Sequence, residues 1–212
     1  MINRRKFLAS VPALALAGCT SQQTTTKTST EPVSRPDFTV PTPYLGLEDR
    51  ENAIVVMEFG DMQCPHCQTY ENTVFPELKS TYIDDEPLIR YEHYDFSIPI
   101  NEYSSLAPKY ARAVQQSEGL DAFWAYKKLV YENQSNIDET MLKDFVTSVG
   151  GNLAEVTSLL DSNSTMYEEL LESQRQYGID LGVEGTPQVI VEGELVSRAS
   201  FEAIANKIDK NL

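Results

Sequence analysis

The chain has 212 residues, room for one ordinary domain plus extra segments, and its 41% hydrophobic content is enough for a core. Its 32 acidic against 17 basic side chains give a formal charge of −15. That balance argues against nucleic-acid binding, and reads as a solubilising surface or as adaptation to a salty surrounding that screens self-repulsion.

Residues 1–18 join a basic start, Arg4-Arg5-Lys6, to a short apolar run from Phe7 to Ala17. The run is too short for a stable bilayer span and reads as an export signal. Asn3-Arg4-Arg5-Lys6-Phe7-Leu8 resembles a twin-arginine signal, and Leu16-Ala17-Gly18-Cys19 resembles the lipobox of prokaryotic lipoproteins. Those resemblances imply cleavage before Cys19, a lipid on its thiol, and attachment to the outer face of the cell membrane. They also give a use to the odd one of three cysteines. Residues 19–43 are rich in Thr, Ser, Gln and Pro and lack the apolar surface that would offset ordering. They read as a disordered tether.

From Tyr44 to Leu212 the composition is that of a globular domain. Pro43–Gly46 is a short first strand and the apolar, β-branched run Ala53–Phe59 a buried one. Cys64 to Tyr82 carries a helical pattern, with Pro76 expected to kink it. Leu88–Phe96 then makes a second long strand, parallel to the first because a helix crosses between them. A helical block follows over about 102–182: Glu102–Glu118, Leu120–Asn133, Asp138–Val149, Asn152–Leu160 and Ser164–Leu181. Gly119, Gly150-Gly151 and Gly182 punctuate it. Gln188–Val191 is a strand, Gly193 turns it into Leu195-Val196, and Ser200 caps a last helix to Lys210.

The chemistry concentrates at Cys64-Pro65-His66-Cys67, between the buried strand and the following helix. Thiol–disulfide exchange needs a thiolate, and a free thiol with a pKa of about 8.5 is mostly protonated at neutral pH. Cys64, just ahead of the helix, faces unpaired backbone N–H groups and the positive end of the helix dipole, which stabilise its anion. Cys64 is therefore the expected nucleophile, and Cys67, one turn in, the buried resolving thiol. Pro65 suits the first helical turn, where its missing N–H costs nothing. His66 adds a dipolar or cationic side chain near Cys64, which favours the reduced form and raises the reduction potential. A zinc site would need two more ligands, and His93 is the sole histidine outside the motif. His93 itself reads as a strand residue with a local partner, and Trp124 as core of the helical block.

A β-α-β half carrying C-x-x-C, and a β-β-α half opened by Thr186-Pro187, resemble the thioredoxin fold. With the helical insertion and Cys-Pro-His-Cys, the chain is similar to the DsbA-like branch. The resemblance implies an α/β fold, disulfide donation to exported thiol substrates, and a membrane redox partner that recycles the pair. It implies no cofactor beyond the Cys64–Cys67 disulfide, and the molecule is expected to be a monomer. Thr186-Pro187 then corresponds to a cis-proline loop that packs on the cysteines and offers backbone groups to an extended substrate. Glu58, six residues before Cys64, corresponds to a buried acid beneath the pair. A carboxylate in an apolar strand is costly without work or a partner, so Glu58 is expected to accept the proton of Cys67. Two alternatives stay open: a reductase for exported cytochrome or copper-site thiols, and a redox-inactive peptide-binding module.

Overall fold

The computed structural model describes Val33–Leu212. The export signal, Cys19 and the first part of the tether lie outside the described residues. Among those described, no helix is long and apolar enough to cross a membrane.

A five-stranded sheet in the order β1-β3-β2-β4-β5 forms the frame: β1 Tyr44–Gly46, β2 Ile54–Gly60, β3 Ile89–Asp95, β4 Gln188–Val191 and β5 Glu194–Leu195. β2 and β3 are parallel, and β1, β4 and β5 run antiparallel to their neighbours. β2 and β3 are buried along nearly their whole length, as central strands covered on both faces are. Side-chain alternation splits them. Val56, Tyr91, Val189 and Val191 pack under the first helices and the last one. Val55, Met57, Phe59, Tyr94 and Ile190 pack on the opposite face with Tyr177.

The helix after Cys64 is broken rather than kinked: α1 spans Pro65–Thr73 and α2 Phe75–Tyr82, with Val74 between. Pro76 has no N–H for Asn72 and its ring disfavours helix just before it, so the chain restarts with proline in the first turn. The insertion comprises α3 Tyr103–Glu118, α4 Leu120–Glu132, α5 Glu139–Ser148, α6 Leu153–Ser162 and α7 Ser164–Asp180, with a 3-10 turn at Gln134–Asn136. Asp138 and Asn152 cap α5 and α6 through their side chains. The insertion has its own core of Phe123, Tyr126, Val130, Leu142, Val146 and Tyr167, and that core reaches Met62, Cys64 and Cys67. α7 lies close on the sheet at Gly178, where a Cβ would meet the rings of Phe59 and Phe96 at 2.9 Å. α8, Phe201–Ile208, closes the chain with Ser200 accepting from the Ala203 amide.

The domain starts earlier than its composition suggested. Residues 33–43, expected within the tether, are packed: Val40 and Thr42 are buried. Arg35 donates to Thr42 Oγ1 at 2.7 Å and to the Tyr94 hydroxyl at 3.2 Å. The backbone carbonyls of Pro41 and Pro43 accept from Gln115 Nε2 and the His93 amide. A few anchors of this kind hold a polar strap without long apolar runs.

Candidate active site

Cys64 ends the loop from β2 and stands at the mouth of α1, extended in backbone and followed by Pro65 in the first turn. Its amide donates to the Asp61 carbonyl at 3.0 Å, and its carbonyl accepts from Gln68 of α1. Two residues of the insertion fix this loop. Gln134 Nε2 donates to the carbonyls of Met62 and Cys64, each at 3.0 Å. The Tyr131 hydroxyl donates to the Asp61 carbonyl at 3.3 Å. The Asp61 carboxylate accepts from the amides of Gln63 and Ile98, tying the loop to the segment after β3. Burial pushes the Asp61 carboxyl up to about 6, against the pull of those two amides.

The two thiols are unlike. The hydrogen bond from Cys67, the nearby Thr186, and the backbone N–H groups of Cys67 and His66 together bring the Cys64 thiol down to about 5, against the opposing effect of burial. Burial above all, then the bond to Cys64 and the charge of Glu58, push Cys67 well above the usual thiol range. The expected order of acidity is thus present. The His66 contribution is its backbone N–H, while its side chain is exposed. Cys67 Sγ accepts from the Asp61 amide at 3.5 Å.

Thr186-Pro187 is a cis peptide, distant in sequence and adjacent in space: the Thr186 carbonyl oxygen lies 3.5 Å from Cys64 Sγ. Glu58 is buried at 1% exposure, and β2–β3 register sets it beside His93. Its Oε2 bonds to His93 Nδ1, whose other nitrogen lies 3.3 Å from Asp95 Oδ1. Despite strong desolvation, the charges of His93 and Lys127 keep the Glu58 carboxyl below its ordinary value. Gly60 makes room for this acid, because a Cβ there would overlap Glu58 Oε1 and approach the Tyr131 hydroxyl at 3.3 Å.

The geometry therefore brings together Cys64, Cys67, Pro65, Glu58, Thr186 and Pro187. It adds Asp61, His93, Lys127, Tyr131 and Gln134, which no local motif signals. A thiolate at a helix mouth, a protonated thiol behind it and a backbone carbonyl beside it suit nucleophilic exchange with a disulfide or a thiol substrate.

The chain is similar to known proteins. The family described as Thioredoxin matches residues 40–210. The chain is 29% identical over 174 residues to a probable disulfide bond formation protein D of Bacillus cereus, covering 79% of this chain and 77% of that one. In fold it is similar to oxidised BdbD of Bacillus subtilis, with a TM-score of 0.69 at 22% identity, covering 80% of this chain and 91% of that one. It is equally similar to the thiol-disulfide exchange protein alpha-DsbA2 of Wolbachia pipientis, with a TM-score of 0.69 at 22% identity, over 81% and 87% of the two chains. The chain belongs to the thioredoxin family, as a DsbA-like thiol–disulfide oxidoreductase.

Proposed function

We propose that this oxidoreductase donates disulfides to exported proteins, with Cys64 as the atom that substrates attack. The observation that carries the reading is the asymmetry of the pair, Cys64 brought down to about 5 and Cys67 pushed up. A substrate thiolate attacks Cys64 Sγ of the Cys64–Cys67 disulfide, forming a mixed disulfide and releasing Cys67. A second substrate thiolate then attacks the substrate sulfur, and Cys64 leaves as a stable thiolate. Stabilising that thiolate stabilises the reduced protein, which makes the oxidised protein the stronger oxidant. Pro65 and His66 shape the helix mouth, Glu58 exchanges the Cys67 proton, and the backbone at Thr186 and Pro187 lines up an extended substrate. The redox-active disulfide is the whole prosthetic chemistry.

The workplace is outside the cytoplasm, where thiol-bearing exported proteins are the substrates and a membrane redox partner reoxidises the pair. A lipid on Cys19 holds the monomer to the outer face of the membrane. Oxidised protein mixed with a reduced, unfolded test protein should form disulfides in it, and Cys64→Ser should abolish this. Undiminished activity in that variant would refute the role of Cys64.

A further inference from the structure

Beneath the cysteines, the sheet and the insertion enclose a charged cluster that the exchange steps above use only in part. Glu58 of β2 bonds to His93 of β3, which meets Asp95, and Asp95 Oδ2 accepts from Arg112 Nε of α3 at 2.7 Å. All four side chains are at or below 2% exposure. From the other side, Lys127 of α4 bonds to Glu71 of α1, and the hydroxyls of Tyr70 and Tyr91 lie 3.2 Å apart.

We propose that His93 is a positioning residue that stores, against Glu58, the proton Cys67 takes up when the disulfide is opened. The inference rests on the exchange reading above and deepens it. When a substrate thiolate attacks Cys64, a sulfur–sulfur bond forms to the substrate and the Cys64–Cys67 bond breaks. Cys67 leaves with the electron pair as a thiolate. That anion forms at 1% exposure, within the field of Glu58, where a bare charge is costly. It needs one proton, and Glu58 is held ionised.

His93 has that proton. Both of its ring nitrogens face carboxylate oxygens, and an ionised carboxylate only accepts, so both nitrogens carry hydrogen. Asp95 is fixed as an anion by Arg112, its carboxyl down to about 2 in spite of burial. The His93 Nδ1 proton passes to Glu58 Oε2 and from Glu58 to Cys67. The products are a Cys67 thiol, a Glu58 carboxylate and a neutral imidazole that keeps its Nε2–H on Asp95. His93 then recovers a proton from solvent, and reoxidation runs the transfer backwards. The other groups facing the cluster are poor sources. Lys127 is committed to Glu71, Arg112 is committed to Asp95, and Tyr70, Tyr91 and Tyr131 are all pushed well above their usual range. Asp61, whose carboxyl is also pushed toward neutrality, has both oxygens accepting amide hydrogens from Gln63 and Ile98, which leaves His93 as the source.

The test is rapid-mixing reduction of the oxidised full-length protein by dithiothreitol, followed at once by a thiol signal and by a pH-indicator dye. Each dithiothreitol thiol releases its proton to solution as it reacts, so in the wild type opening should give a transient acidification, and the uptake that offsets it should lag because the first proton to reach Cys67 is internal. In His93→Gln, opening should slow about tenfold at neutral pH, corrected for the thiolate fraction of the reductant, and the lag should vanish. The double variant with Glu58→Gln should be no slower than Glu58→Gln alone, since His93 acts through it. Simultaneous opening and uptake in the wild type would overturn the proposal, as would a pH–rate profile unchanged in His93→Gln. If that variant fails to fold, the wild-type lag decides alone. Failure of the exchange reading itself would look different: no transfer of disulfide to any substrate, with or without a lag.

Discussion

Glu58 and Glu92 stand on neighbouring strands, both buried to 1% exposure or less, on opposite faces of the sheet. Their partners differ in kind. Glu92 accepts from Arg90 Nε at 2.7 Å, from Arg50 Nε at 3.1 Å and from the Tyr94 hydroxyl at 2.8 Å. Arginine does not give up its proton, so this carboxylate is locked and its work is structural. Glu58 is paired with a histidine beneath a thiol, so its charge can change. Two buried acids in one sheet thus serve different ends because of what they face, and not because of how deeply they lie.

The largest effect should come from unlocking the structural acid. Glu92→Gln leaves the nearly buried Arg90 without its counter-ion and should cost about 3 kcal/mol of stability. Denaturant unfolding measures this, and the exchange rate of the folded variant should be unchanged. Glu58→Gln should show the reverse: disulfide opening about 100-fold slower, with a stability loss under about 1.5 kcal/mol because His93 can shed its charge. Equal stability losses in the two variants would erase the distinction. Gly60→Ala falls between. Its methyl group must displace the Glu58 carboxylate, costing about 1–3 kcal/mol and slowing exchange as Glu58→Gln does.

The smallest effect concerns Cys64 itself. The groups that bring it down to about 5 are Cys67, Thr186 and helix amides, so neither Glu variant should move its midpoint in an ultraviolet thiolate titration by more than about 0.3 units. A lowered folded pKa stabilises the reduced protein fully above the unfolded value of about 8.5, and that contribution fades as pH falls toward 5. The oxidised form has no such thiol. The stability of the reduced form relative to the oxidised form should therefore decline over that window in all three proteins. Asp61 is present in both forms and largely cancels. A flat difference between the two forms would contradict the assignment.

Much of the site was legible because its parts are local or spaced by a fixed rule. Cys64 and Cys67 sit one helical turn apart, Pro65 marks the turn, and Glu58 sits in the strand that delivers them. The resemblance to the thioredoxin fold points to Thr186-Pro187, which no local pattern joins to Cys64. His93 reads from sequence as a strand residue with a local partner, whereas its partner is Glu58, distant in sequence and brought beside it by β2–β3 register. Lys127, Tyr131 and Gln134 reach the site from an insertion whose helices show only apolar periodicity, and periodicity says nothing of where a helix docks. The strap at 33–43 is hidden in the sequence for a related reason. Composition reports the average apolar content, whereas Val40, Thr42 and Arg35 hold the segment through single contacts.

The direction of electron flow is tested most directly by the reduction potential of the Cys64–Cys67 pair, obtained by equilibrating the protein with glutathione mixtures at neutral pH. A thiolate stabilised as Cys64 is predicts a value nearer DsbA's, about −120 mV, than thioredoxin's, about −270 mV. A value near thioredoxin's would contradict disulfide donation and make the protein a reductase.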